Sequence, residues 1–212
     1  MARTAGSHAE TTGPRIQAAA LRLFAHLGYA AVSMRQIAAE VGVQAGALYN
    51  YTADKQSLLM SLMELHMQDV LDARQAARSE GTPLARLESF VKFHIGFHLA
   101  RPDALLVSYM ELRNLEPENF AKIEALRRDY ENELERILSD GAAQGIFSLD
   151  DPKIATLAII SMLNGVVHWF RPDGRLEQVD IEEIYWGMVR RAVGATDWSD
   201  GSVCCLDKGA IA

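Results

Sequence analysis

Between Ser33 and Tyr51 the chain gathers side chains suited to gripping and reading duplex DNA. Gln44 can bond an adenine edge bidentately, Ala45 can touch a thymine methyl, and Gly46 lets the backbone come close to a base pair. Tyr49, Asn50 and Tyr51 carry hydroxyl and amide donors that suit phosphate oxygens, although one of the two tyrosines could instead pack inward. Ser33, with the free amides at the start of its helix, makes an anion site, a helix cap, or both. Arg35, one turn further on, suits a phosphate or a base edge, and Lys55 suits a phosphate as a point charge; a solvated charge is the alternative for each.

A second set lies on a stretch read as a helix over 83–100. Advanced at about 100° per residue, it places Leu84, Leu87, Val91, His94 and His98 on one stripe flanked by Phe90 and Phe97. His94 and His98 have a metal-ligand spacing, but no third ligand accompanies them, so no metal is expected. They are core histidines or polar groups facing a ligand. Tyr109, Met110 and Arg113 on the next helix add an aromatic ring, a thioether and a cation, a set fitted to an amphiphilic acid or thioester. For Tyr109 and Met110 a plain core role fits as well.

The elements that must position these residues are helical. Apolar periodicity and Pro, Gly and Asp punctuation predict an all-α chain of about nine helices: from Pro14 to Leu27, from Ser33 to Val41, from Gln44 to Tyr51, from Asp54 to about Arg78, then 83–100, 102–114, 117–144, 151–169 and 179–194. Ser33-Met34-Arg35-Gln36 has capping-box spacing, and Gly42 marks the turn of a helix-turn-helix. The expected organisation is a flexible arm over 1–12, a three-helix DNA-binding domain over 13–53, a larger ligand-binding and dimerisation domain over 54–196 and a loose tail over 197–212. Helix 151–169 is apolar nearly all round and must pack against more than its own core.

With 212 residues and 49% apolar composition the chain can bury a full core. The net charge of −7 argues against nucleic acid until its distribution is read. Residues 1–55 carry five Lys and Arg against three Asp and Glu, and the remainder carries 16 against 25. A mildly basic head on an acidic body presents one end to phosphates. No membrane span or secretory signal is read, which points to the cytoplasm. Cys204 and Cys205 are adjacent and are given no role. No nucleophile triad, paired-carboxylate set or phosphate loop stands out, so neither enzyme nor cofactor is expected. A helical enzyme or an adaptor containing the same corner is the alternative class.

Phe24-Ala25-His26-Leu27-Gly28-Tyr29, Ser33 to Ala38, Val41-Gly42-Val43, Gly46 to Tyr51, Asp54-Lys55 and Leu58-Leu59 occur in order, and over about 13–60 they resemble the DNA-binding domain of the TetR family. Gln44, Ala45, Asn50 and Thr52 depart from its usual residues, which bears on the sequence read. The resemblance implies a repressor that is a homodimer on double-stranded operator DNA, pairs through helices about 151–169 and 179–194, and is released by a small-molecule effector. Gly145-Ile146-Phe147, Asp151-Pro152, Met162 to Gly165, Trp169 and Arg171 to Leu176 look like a subgroup that includes acyl-CoA sensors of lipid and steroid breakdown. That second resemblance brings in Asn164 and Trp169 as pocket or interface residues. A multidrug-type regulator with a promiscuous apolar pocket is the alternative within the family.

Overall fold

Ser33 starts the element on which the head is built. Its hydroxyl accepts from the Gln36 amide at 3.3 Å while the Gln36 side chain accepts from the Ser33 amide at 2.7 Å, a reciprocal cap that opens α2 (Met34–Val41). Gly42 closes it in the left-handed region, φ 76°, where a side chain would be strained. The chain then reverses into α3 (Ala45–Leu48), and Leu48 is fully buried. The computed structural model describes residues 6–195, so part of the expected arm and the tail with Cys204 and Cys205 lie outside the described residues.

α1 (Gly6–Leu27) packs on α2 through Ile16, Ala20 and Phe24, which share one core with Ile37, Leu48 and Leu59. α4 (Lys55–Ala76), capped by Asp54, runs from the head into the body. The body is made by α5 (Pro83–Leu99), α6 (Pro102–Met110), a short turn of tighter helix at Leu112–Asn114, α7 (Pro117–Ala143), α8 (Pro152–Asn164), α9 (Val166–Trp169) and α10 (Gln178–Ala192). Pro83, Pro102, Pro117 and Pro152 all open helices, where the missing N–H costs nothing. α5 lies at the centre, against α7, α8 and α10, with Leu87, Phe90, Val91 and Ile95 buried. α6 bridges the two parts by packing on both α1 and α4. Among the described residues no helix is long and apolar enough to cross a membrane.

Four boundaries differ from the sequence reading. α1 begins at Gly6, with Pro14 inside it, so residues 6–12 of the expected flexible arm are helical. Pro14 withholds one bond of the ladder and its ring crowds the carbonyl four residues back, and the helix nevertheless runs through it. α3 is one turn long, because the amides of Asn50 and Tyr51 bond back three residues, to Ala47 and Leu48, in a tighter turn. The helix expected over 102–114 stops at Met110, and the chain continues into the turn that Asn114 and Glu111 lock by a side-chain bond. The helix expected over 151–169 breaks at Gly165, directly after Asn164 is drawn into the interior.

Candidate functional site

The outer face of the head carries Ser33, Arg35, Gln44, Gly46, Tyr49, Asn50 and Tyr51, all exposed, with Ala45 half-buried beneath them. Gln44 is the N-cap residue of α3 in extended conformation and its side chain makes no capping bond, so its amide is available to a base edge. Tyr49 projects outward at 57% exposure, whereas Tyr51 leans on α1 beside Gly13. Among the described residues, the other cations of the head are already committed. Arg15 donates to the Val41 carbonyl at 2.7 Å, and Arg22 pairs with Glu40.

Lys55 also has an internal role. Its ammonium donates to the carbonyls of Tyr29 at 2.9 Å and Val32 at 2.8 Å, and stands 4.1 Å from the centre of the Tyr29 ring. It ties the loop between α1 and α2 to the start of α4, a positioning task beside the phosphate contact expected from sequence. Two predictions separate the roles. Lys55→Met should lower the stability of the protein by about 2 kcal/mol in urea unfolding and leave the salt dependence of DNA binding unchanged. Arg35→Ala should leave stability intact and reduce the salt slope of DNA binding by about one.

The body holds a cavity of about 50 Å³ between α4, α5, α6, α7 and α8. His94 is at its floor. Tyr130 donates to His94 Nδ1 at 3.1 Å, and His94 Nε2 donates to Asn164 Oδ1 at 3.1 Å, which fixes the neutral tautomer protonated at Nε2. Burial pushes the His94 imidazole down to about 4, with the Asn164 bond opposing it, and burial raises the Tyr130 phenol. His98 stacks edge-on to His94 with ring centres 4.4 Å apart, and His66 of α4 lies 5.3 Å from His98. Burial, aided by the Arg101 charge, pushes His66 down to about 4 and His98 well below the usual range. Met67, Val70, Leu105 and Ile160 supply apolar wall; Ser108, Tyr109, Arg127 and Glu131 complete the lining. Three uncharged imidazoles in an apolar chamber are fitted to hold a ligand by hydrogen bonds. Among the described residues no three His, Cys, Asp or Glu are arranged to hold a metal.

Residues 80–193, more than half of the chain, match the tetracyclin repressor-like C-terminal domain, and residues 16–62 match the bacterial regulatory proteins of the tetR family. The chain belongs to the TetR family of transcriptional regulators. It is a DNA-binding regulator and not an enzyme. This TetR regulator is similar to a tetR-family regulatory protein from Rhodococcus RHA1, at 34% identity and a TM-score of 0.83 over 88% of this chain and 99% of that one. A structure of AibR in complex with isovaleryl coenzyme A and operator DNA aligns at 26% identity and a TM-score of 0.78, covering 87% of this chain and all (100%) of AibR. Among curated relatives, the transcriptional repressor KstR2 of Mycobacterium tuberculosis is 28% identical over 89% of this chain and 96% of its own length. The fatty acid metabolism regulator of Bacillus subtilis is 27% identical over 60% of this chain, and the match spans 66% of that protein.

Of the ligand candidates read from sequence in this TetR regulator, His94, Tyr109 and Asn164 meet at the cavity. Phe90 and Phe97 are buried directly behind it, with Phe90 5.1 Å from Tyr130 and Phe97 5.3 Å from His98. Met110, the last residue of α6, and Arg113, in the turn that follows, are exposed and do not line it. Trp169 lies beyond the break at Gly165 and stacks on Tyr185 of α10. Sequence reasoning missed His66 and Ser108. His66 has a signal in hindsight, since it falls on the buried stripe of Leu62, His66 and Val70 in α4; Ser108 has none.

α6 connects the cavity to the head. Leu105, Ser108 and Tyr109 face the cavity, while the same helix packs on α1, where Asp103 pairs with His26 at 3.6 Å. Past α6, Gln56 of α4 donates to the Asn114 carbonyl at 2.9 Å and accepts from the Glu116 amide at 3.3 Å, which pins the turn beside the head.

Proposed function

We propose that this chain is a cytoplasmic transcriptional repressor, a homodimer on a near-palindromic operator that a small-molecule effector releases. The DNA-binding part is residues 13–53 and the sensing and pairing part residues 54–196. Gln44, Ala45 and Gly46 read bases, while Ser33, Arg35, Tyr49, Asn50 and Tyr51 hold the backbone. Lys55 holds the head's geometry. The observation that carries the reading is α6, one helix with a wall of the cavity on one side and α1 on the other. A ligand that widens the cavity displaces α6, and α1 with it, so the spacing of the two heads changes and the operator is favoured less.

Pairing is assigned to α8 and α10. Their outer faces leave Ile154, Leu157, Val179, Ile184 and Met188 exposed, and a second copy of the chain is the occupant that continues this apolar surface by two-fold symmetry. The effector is assigned to the acyl-CoA thioesters or lipid-derived acids. Support comes from the histidine-lined chamber and from two relatives, AibR seen with isovaleryl coenzyme A and the Bacillus subtilis regulator of fatty acid metabolism. A promiscuous multidrug pocket fits less well, because its lining would be apolar and aromatic rather than bonded through His94, Tyr130 and Asn164.

The test is an anisotropy titration of operator DNA, obtained by selection, with acyl-CoA thioesters, free fatty acids and cationic dyes. Release by a thioester or an acid at micromolar concentration is expected. Release by the dyes alone would replace this reading with the multidrug one.

A further inference from the structure

Among the described residues four buried side-chain polar atoms have no hydrogen-bond partner, and three of them, from three different helices, belong to residues that line the same cavity. The three are Nδ1 of His66 in α4, Nδ1 of His98 in α5 and Oγ of Ser108 in α6. The residues are 4%, 5% and 4% exposed. Buried polar groups are nearly always matched, so a cluster of unmatched ones needs an explanation. Ser108 is the sharpest case. Hydroxyls of α8 bond back to a carbonyl of the preceding turn, Thr156 to Pro152 at 2.8 Å and Ser161 to Leu157 at 2.7 Å, but Ser108 does not.

We propose that His66, His98 and Ser108 form a subsite for one uncharged, carbonyl-bearing group of the effector, such as a thioester, and not for a carboxylate. The inference rests on reading the cavity as the effector site. A serine hydroxyl supplies one donor, and a neutral imidazole supplies another when its proton is on Nδ1, the tautomer the subsite requires at His66 and His98; a carbonyl oxygen accepts from such a pair. Burial keeps the imidazoles uncharged, so they bring hydrogen bonds without a counter-charge. The two nearby guanidinium groups each make one bond of their own. Arg127 bonds the Ser108 carbonyl at 3.4 Å and faces the Tyr109 ring, and Arg101 bonds the Phe97 carbonyl at 3.4 Å and lies over its ring. Glu131, whose nearest cation is Lys153 at 3.6 Å, puts a carboxylate on the same lining and opposes a second one. The subsite's own donors carry no charge, so an anion held by them would lose its water without a counter-charge from them. The cavity of about 50 Å³ takes roughly three to five waters, enough for the carbonyl and the first carbons of a chain. Because Ser108 is on α6, the bond it makes to ligand acts on the helix that packs against the DNA-binding head.

The experiment uses the full chain with two small probes, S-methyl thiobutanoate and butyrate, followed by calorimetry and by nitrogen NMR of the histidine rings. The thioester is expected to bind at least about tenfold more tightly than butyrate and to move the ring signals of His66 and His98. Ser108→Ala, which removes an unmatched hydroxyl, should raise the melting temperature of the free protein and weaken the thioester about tenfold. Butyrate binding as well as the thioester, neither probe binding, or thioester binding that leaves both histidines and the Ser108→Ala affinity unchanged would each overturn the subsite. Operator release by isovaleryl coenzyme A is measured in parallel. Release that is undiminished in Ser108→Ala counts against the subsite alone. Absence of release, with the probe results as expected, upholds the subsite and counts against the acyl-CoA effector.

Discussion

Acidification from pH 7 towards pH 4 is expected to remove most of the protein's stability, and the cause is the histidine cluster of the cavity. His66 and His94 are pushed down to about 4 and His98 well below its usual 6.5, with burial the largest cause in each case. In the unfolded chain these groups take up protons near 6.5, and in the folded chain only near 4 or below. Between those values the unfolded state binds more protons, so stability falls as the pH falls. The contribution is complete above about 6.5. Each of His66 and His94 accounts for about 3 kcal/mol across the window. Arg101 reinforces the effect at His66 and His98, whereas the Asn164 bond moderates it at His94. The Asp54 cap, held below its usual value by the Ser57 bonds, weakens only in more acidic solution and does not blur the window. Urea unfolding at pH 7, 6, 5 and 4.5 checks the slope. Constant stability between pH 7 and 5 would contradict the neutral, buried state of the cluster.

Arg74→Ala is expected to be strongly damaging although it lies away from the cavity. Arg74 is 1% exposed, pairs with Glu133 at 3.0 Å, donates to Ser89 at 3.2 Å and lies 5.4 Å from the rings of both Phe90 and Phe93. Its loss strands the Glu133 carboxylate and opens space where α4, α5 and α7 meet. The cost should be about 3 kcal/mol, the low end for a broken buried pair, because Glu133 is 15% exposed and keeps Arg78 at 3.7 Å. Arg74→Met combined with Glu133→Leu removes both charges and should recover most of the loss. Chemical denaturation of the single and double variants measures this. Equal losses in the two would assign the effect to packing instead of the stranded charge.

The parts of this molecule legible in the sequence are those set by local chemistry. The Ser33–Gln36 cap, the Asp54 cap and the Asp151-Pro152 start each depend on residues within one turn of each other, and all three stand where the sequence places them. The spacing of His94 and His98 likewise puts both on the buried face of α5. What was not legible depends on distant partners. The internal role of Lys55 depends on Tyr29 and Val32, over 20 residues away in sequence, whose carbonyls accept hydrogen bonds from its ammonium. Met110 and Arg113 continue a helical pattern that stops because Glu111 and Asn114 bond to each other, and Ser108 looks like any helical serine until its hydroxyl is found unmatched. Tyr130 is core, but the hydroxyl that orients His94 across 36 residues of sequence carries no local mark.

Two-fold DNA recognition led by Gln44 is tested most directly by selecting bound duplexes from a random-sequence pool with the full chain, in parallel with its Gln44→Ala variant. The expected product is an inverted repeat whose half-sites are centred about 34–36 Å apart, one turn of the duplex. In the Gln44→Ala pool the preference at one base pair of each half-site should relax, a loss of about 1–3 kcal/mol of discrimination, while the repeat itself persists. A pool that shows no inverted repeat, or one whose base preferences are the same with and without Gln44, would contradict the account.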